Sequence, residues 1–339
     1  MKILITGGLG FIGTNFIRYW FGHHLNDQIT NLDCITYAAN PKNLSDYDQN
    51  PNYKFIKGNI LDADLLDQIL PGTDLIVHFA AESHVDRSID DPMLFVKSNV
   101  LGTYTLLSAA KKHGNIRFHH TSTDEVFGTI IPGVVDIFTE NTHYDPSSPY
   151  SASKASSDHF VRSFGKTFGL PITITNCSNN YGPYQHPEKM IPRMITNVLD
   201  GKKIPVYGKG TNYRDWLYVD DHCSAIEAVI SKGKLGETYC VGGLKETSLN
   251  IDLVKKTLNL MGKDNDQIEF VADRPAHDNY AISWEKIHKD LGWNPKETLT
   301  SGLKKTIAWY QNNEPWWRAA KSEAEAFYKK LNDYKNIKK

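Results

Sequence analysis

The most constraining stretch is the first thirteen residues. Lys2-Ile3-Leu4-Ile5-Thr6 reads as an apolar strand, and Gly7-Gly8-Leu9-Gly10-Phe11-Ile12-Gly13 follows it directly. A helical pattern then runs to about Phe21. Glycines at 7, 10 and 13 let the chain turn sharply and let its backbone approach a pyrophosphate. They also let a helix pack tightly on a sheet. The helix start offers free amides and the positive end of a dipole to that anion. Glycine spacing alone is a weak signal. A strand before it and a helix after it are the context that gives it weight.

The next strands follow the same plan. Residues 28–32 read as the second strand, and Asp33 ends it. A carboxylate there accepts hydrogen bonds from adenosine ribose hydroxyls and repels a 2′-phosphate, so NAD is expected rather than NADP. No arginine between Cys34 and Asn52 is there to welcome a phosphate. Strands are expected at 53–57 and 74–79, the latter apolar enough to be buried on both faces. A helix at 92–113 has Pro92 in its first turn and Gly114 closing it. Its stripe of Leu94, Val100, Leu101, Tyr104 and Leu107 is expected in the core, though a helix this long can also serve a dimer surface. A strand at 116–121, a helix at 150–168 and a strand at 171–176 continue the alternation, which predicts a doubly wound parallel sheet.

Beyond Cys177 the texture changes. Residues 178–183 read as loop, 190–199 and 250–261 as helices, the surroundings of Tyr239 as a strand, and 303–312 as a closing helix. The expected architecture is α/β. A Rossmann-type domain covers 1–176, with later segments returning to it. A smaller mixed α/β substrate domain covers 177–317, and a charged tail 318–339.

Chemistry concentrates at two places. Thr123, Asp124 and Glu125 fall at or just past the end of the strand at 116–121, where open α/β sheets bind ligands. Tyr150 and Lys154 are four apart on a helix and share a face. A neighbouring ammonium favours the phenolate, which makes the tyrosine a base near neutral pH. Lys189, Arg214 and Arg274 lie in separate loops, where they read either as ordinary surface charges or as a group converging on a phosphate-bearing substrate.

Composition sets the exclusions. A net charge of −1 over 339 residues gives no reason to expect nucleic acid or an anionic membrane. No apolar run approaches the ~20 residues that span a bilayer, and no signal segment is visible. Four scattered cysteines are expected as reduced thiols in a cytoplasmic protein. Thirteen histidines show no ligand spacing, so no metal is expected.

On these residues the chain resembles the extended short-chain dehydrogenase/reductases. The stretches Ala80-Ala81-Glu82-Ser83-His84, Ser122-Thr123-Asp124-Glu125-Val126, Ser178-Asn179-Asn180-Tyr181-Gly182-Pro183, Pro187-Glu188-Lys189, Arg214-Asp215-Trp216 and Asp273-Arg274-Pro275 resemble, more narrowly, the dTDP-glucose 4,6-dehydratase family. The resemblance runs from residue 1 to about 317.

It implies that Tyr150 takes the proton of the sugar 4-hydroxyl as hydride leaves C4 for NAD. It implies that Glu125 removes the C5 proton, that Asp124 as an acid releases the C6 hydroxyl, and that Thr123 bonds the C4 oxygen. It places Gly7, Gly10, Phe11, Ile12, Gly13, Asp33, Asn59, Ile60, Ala80, Ser98, Tyr150, Lys154 and Asn180 at the cofactor. It places Ser83, Thr123, Asn179, Lys189, Pro205, Tyr207, Arg214, Asn250, Arg274 and His277 at the nucleotide sugar. It also implies a homodimer built on the helices near 92–113 and 150–168.

The departures are Cys34 for lysine, Asn59 for aspartate, Ala276 for glycine, a segment one residue short at Asp278-Asn279-Tyr280, and Ser283 for an acid. The alternatives are a UDP-glucose 4,6-dehydratase, a 4-epimerase, or a silent NAD-binding sensor. Asp124 and Glu125 count against the epimerase. Tyr150 and Lys154 count against the sensor.

Overall fold

The computed structural model describes all residues except 132–135, 244–247, 273–277 and 338–339, and leaves the side chains of 248 and 327–337 undescribed. Seven parallel strands form the main sheet. They are β1 (Lys2–Thr6), β2 (Gln28–Asp33), β3 (Tyr53–Lys57), β4 (Leu75–His78), β5 (Arg117–Thr123), β6 (Ile172–Cys177) and a late strand, Thr238–Val241. Their spatial order is the late strand, then β6-β5-β4-β1-β2-β3. The chain reverses direction across the sheet between β1 and β4, and ligands in such sheets bind at that switch point.

Two helical layers cover the sheet. On one side lie α1 (Phe11–His23) and Val219–Lys232, burying Phe16, Ile17, Trp20, Val219, Cys223 and Ile226 against Ile3, Ile5 and Val77. On the other lie α2 (Ala63–Ile69), Gly102–Lys112 and Pro149–Phe168, burying Leu66, Leu106, Leu107, Val161 and Phe164 against Leu4, Ile76 and Phe118. Thr238–Val241 pairs with β6, and Val219–Lys232 packs on α1, so segments late in sequence are built into the first layer system.

A second core gathers Met190–Leu199, Asn250–Leu260 and Leu299–Asn312 around Ile195, Leu253, Leu303 and Tyr310. The helix Glu314–Ile337 joins it through the fully buried Trp317. Asn179–Tyr181, expected as loop, is a short strand paired in parallel with Trp216–Tyr218.

Besides that loop, one helix was not foreseen and one expected helix needs correction. Val85–Asp90 is an unexpected helix, started by His84 accepting from the Arg87 amide. The expected helix at 92–113 is Pro92–Phe95 and Gly102–Lys112 joined by a π-helical turn, Val96–Leu101. A π turn carries an extra residue and rotates every face after it. Leu94, before the turn, is 43% exposed; Leu101 and Tyr104, within and after it, are 49% and 44% exposed, while Phe95, Asn99, Thr103 and Leu106 take the buried face. Of the expected core stripe, only Leu107 is fully buried.

Candidate active site

A cavity of about 550 Å³ opens beyond the C-terminal ends of the central strands. Its floor is the glycine turn. Gly7 has φ +74°, and a Cβ there would lie 2.6 Å from the Ala80 amide nitrogen. A Cβ on Gly13 would lie 2.3 Å from the Gly7 carbonyl oxygen. Only glycine fits at either place. Gly10 caps α1 without a side chain, so the first amides of that helix face the cavity unobstructed.

Asp33 closes the far end. Its carboxylate accepts from the Leu9 amide at 3.0 Å and the Ile35 amide at 2.8 Å. That grip bends the chain into a left-handed turn at Ile35, φ +58°, a costly conformation for a β-branched residue. The cavity thus runs from an acid-terminated second strand, over a glycine cradle, to β5. These residues fit a dinucleotide, and all thirteen positions expected at a cofactor line the cavity: Gly7, Gly10, Phe11, Ile12, Gly13, Asp33, Asn59, Ile60, Ala80, Ser98, Tyr150, Lys154 and Asn180.

The reactive groups meet at the other end. β5 runs through Thr123, and Asp124–Phe127 forms a short 3-10 turn whose first amide bond is Glu125 N to Thr123 Oγ1, 3.2 Å. Pro149–Phe168 starts beneath it with a reciprocal cap, in which Ser148 and Ser151 hydroxyls each accept the other's amide at 3.0 Å. Thr123 hydrogen-bonds the Tyr150 hydroxyl. Thr123, Glu125, Tyr150 and Lys154 line the cavity. Asp124 lies just behind it, fully buried, with its Oδ1 accepting from Thr123 Oγ1 at 3.3 Å.

The two carboxyls differ in environment. Burial, then Glu125, then Asp215 push Asp124 well above the usual carboxylate range, against a smaller opposing pull from Arg214. A carboxyl whose folded pKa exceeds its unfolded one costs stability once the unfolded chain ionises. The cost begins as pH rises past ~4 and grows until the folded pKa is reached. Asp124→Asn is therefore expected to melt above the parent by roughly 2–4 °C near pH 8, the gap closing toward pH 4. Thermal denaturation at both pH values measures it. Equal melting temperatures at pH 8 would contradict a protonated Asp124.

Tyr150 corrects the sequence expectation. Burial, then Glu125, raise its pKa well above the usual phenol value. The Lys154 ammonium does not offset this, because it is turned to the Thr121 carbonyl oxygen at 2.9 Å. In the protein alone the desolvation of the phenol wins.

Ser83, Asn179 and Lys189 line the same cavity, and Lys189 donates to the Ser83 carbonyl at 2.9 Å. Pro205, Tyr207, Arg214 and Asn250 do not line it. The Arg214 guanidinium sits 4.5 Å above the Tyr280 ring and donates to the Tyr213 and Asp278 carbonyls. Arg274 and His277 fall outside the described residues. Sequence reasoning missed Ser122 and Cys177 on the wall. The signal was available, since both sit at the C-terminal ends of strands, where open α/β sheets bind ligands. Among the described residues no cluster of His, Cys, Asp or Glu is placed to hold a metal, and none of the helices is long and apolar enough to cross a membrane.

A parallel sheet with a glycine cradle at its first turn and a Tyr–Lys pair beside the C-terminal end of β5 defines a short-chain dehydrogenase/reductase. A family model described as GDP-mannose 4,6 dehydratase matches residues 4–306. A dTDP-glucose 4,6-dehydratase of Mycobacterium tuberculosis is 47% identical over 97% of this chain and 98% of its own. One of Escherichia coli K12 is 48% identical over 96% of each. The chain belongs to this family of nucleotide-sugar 4,6-dehydratases. Among solved structures, a dTDP-glucose 4,6-dehydratase of Streptomyces venezuelae with NAD bound has TM-score 0.91 and 45% identity, covering 94% of this chain and 100% of that one. A UDP-glucuronic acid 4-epimerase of Bacillus cereus has TM-score 0.85 and 28% identity, covering 92% and 99%.

Proposed function

We propose that this chain is an NAD-dependent lyase that converts dTDP-glucose to dTDP-4-keto-6-deoxyglucose and water. The observation that carries the reading is the grouping of Thr123, Glu125 and Tyr150 on one cavity wall, with the fully buried Asp124 directly behind them. An epimerase needs no acid and base for elimination. NAD, when bound, would supply an acceptor for the hydride from C4, a donor for its return to C6, and a positive ring that favours the Tyr150 phenolate.

The chain's own residues do the rest. Tyr150 takes the 4-hydroxyl proton, and Lys154 supports the resulting charge balance. Thr123 donates to the oxygen at C4. The ketone so formed acidifies the C5 proton, which Glu125 removes. Asp124 gives its proton to the departing C6 hydroxyl, and Glu125 returns a proton to C5 when hydride comes back to C6. Two carboxyls with opposite roles require separated pKa values, and their unequal burial supports that division. Residues 1–176 hold the cofactor in this reading. Residues 177–317 mainly hold the nucleotide sugar, through Ser83 of the first unit and Asn179, Lys189, Pro205, Tyr207, Arg214, Asn250, Arg274 and His277. Residues 318–339 are a charged tail.

Purified protein incubated with dTDP-glucose is expected to give a 4-keto-6-deoxy product, read by its alkaline absorbance, and UDP-glucose to give much less. No product from dTDP-glucose, with NAD bound, would sink this reading. Product chiefly from UDP-glucose would keep the mechanism and change the substrate.

The working form in this reading is a cytoplasmic homodimer. Met93, Leu94, Leu101, Tyr104, Phe160 and Phe168 are all at least 38% exposed, on two helices that pack side by side. Exposed apolar faces of this kind mark association surfaces. Leu101→Asp combined with Tyr104→Asp is expected to shift the mass in light scattering from dimer to monomer. A parent that is already monomeric would refute the dimer. Four free thiols, three of them buried, support a reducing compartment.

A further inference from the structure

Behind the catalytic wall lies a buried carboxylate that the reaction above does not use. Tyr150, Lys154 and Asp158 succeed one another at four-residue spacing on one face of Pro149–Phe168. Asp158 is completely buried. Its Oδ1 is 3.2 Å from His120 Nε2. The same imidazole nitrogen is 3.4 Å from Lys154 Nζ. Asp158 Oδ2 accepts from Asn176 Nδ2 at 3.2 Å, and that amide also donates to the Thr123 carbonyl at 3.0 Å. Oδ2 accepts from the Tyr144 hydroxyl too, at 2.7 Å.

The tautomer of His120 follows from its surroundings. Its Nδ1 has no hydrogen-bond partner among the described residues. A buried N–H without a partner is costly, so the proton sits on Nε2, where the Ser157 hydroxyl, itself donating to the Lys154 carbonyl, accepts it at 3.3 Å; the Lys154 ammonium, a donor only, makes no hydrogen bond to that nitrogen. The imidazole is held neutral, its pKa lowered to about 4 by burial first and then by Lys154.

We propose that Asp158 is a positioning residue for two catalytic groups at once: its buried charge, one helical turn from Lys154, supports the ammonium, and through Asn176 it fixes the backbone of Thr123. The proposal rests on the roles given to Lys154 and Thr123 above.

A buried ammonium loses its proton readily unless a negative charge stands near it. Burial lowers the Lys154 pKa, and Asp158 is the largest influence that opposes this. The other titratable or charged groups set around the Lys154–Asp158 pair are His120 from β5, His78 from β4, Cys177 from β6, Arg162 on the same helix and Tyr144 before it. His78 and His120 are neutral at working pH and Cys177 is a thiol, since burial drives each away from its charged form. Asp158 itself stays ionised. Burial raises its pKa, but His120, Lys154 and Arg162 bring it to about 2.

The test uses the NAD-loaded enzyme. Asp158→Asn keeps the shape and removes the charge. It is expected to lower kcat about tenfold near pH 8 and to leave KM for dTDP-glucose within about threefold. The alkaline limb of the kcat profile should move toward lower pH by roughly one unit, which is tenfold in the ammonium equilibrium. A merely structural carboxylate would lower the melting temperature and leave that limb in place.

Asp158→Glu keeps the charge and is expected to leave the limb where the parent has it. If Asp158→Asn does not fold, Asp158→Ser, which also removes the charge, decides in its place. A limb unmoved in every folded variant that lacks the charge, with NAD content equal to the parent, overturns the proposal. Carbon-13 lysine NMR of the same proteins, with Lys154 assigned from Lys154→Arg, reads the ammonium titration without turnover. A parent inactive on dTDP-glucose would then count against the substrate reading, and an unmoved Lys154 titration against this one.

Discussion

Tyr150→Phe is expected to lower kcat for dTDP-glucose by about 10²–10⁴-fold, the usual contribution of a positioned base. NAD content and secondary structure should not change. The substitution removes one oxygen and leaves the ring where it packs, edge-on to Phe95 at 6.3 Å. Only the proton acceptor is lost. The acid limb of the parent's kcat profile, which reports the phenol, should vanish with it. Burial and Glu125 raise that phenol in the protein alone, so the limb measures how far the bound cofactor's positive ring brings it back. A phenylalanine variant within tenfold of the parent would remove Tyr150 from the chemistry.

Glu125→Gln should fail later in the reaction. Oxidation at C4 needs Tyr150 and Lys154, and both remain. Removal of the C5 proton needs a carboxylate, and a glutamine of nearly the same shape cannot take it. The expected result is a loss of about 10²–10⁴-fold in product formation, with reduced nicotinamide absorbance accumulating on mixing with dTDP-glucose. Exchange of the C5 hydrogen with deuterated solvent should fall by the same factor. Full exchange in the variant would move the base elsewhere. Asp124→Asn is a contrast. It also blocks elimination, but it relieves the cost of a buried acid, so it should lose activity while gaining stability. That opposition is common at sites built for function.

The parts of this molecule that were legible in the sequence are those whose chemistry is local. A strand, three glycines and Asp33 lie within the first 33 residues, and each constrains its own backbone. Thr123 to Glu125 are adjacent, and Tyr150 and Lys154 share a helix face by spacing alone. What was not legible depends on distant partners or on a change of period. The π turn at Val96–Leu101 rotates the helix after it, so a stripe read at ordinary period pointed Leu101 and Tyr104 the wrong way. Asn99 makes the turn worthwhile. Its side chain bonds both backbone groups of Glu82, at 2.8 and 2.9 Å, and the Ser153 hydroxyl at 2.8 Å, clamping the cavity wall to the catalytic helix.

The raised Tyr150 pKa was also out of reach, because spacing gave the Lys154 neighbour but not where its ammonium points. The pairing of Asp158 with Asn176 and His120 joins residues up to 38 apart across two strands and a helix. Nothing in a linear pattern marks it.

The most direct test of the central claim follows one hydrogen. dTDP-glucose carrying deuterium at C4 is converted by the NAD-loaded enzyme in ordinary water, and the product is read by NMR and mass spectrometry. The account predicts that the deuterium reappears at C6 of the 4-keto-6-deoxy product, since the hydride taken from C4 returns to the same molecule. Product without deuterium at C6, or deuterium returned only to C4, would contradict it.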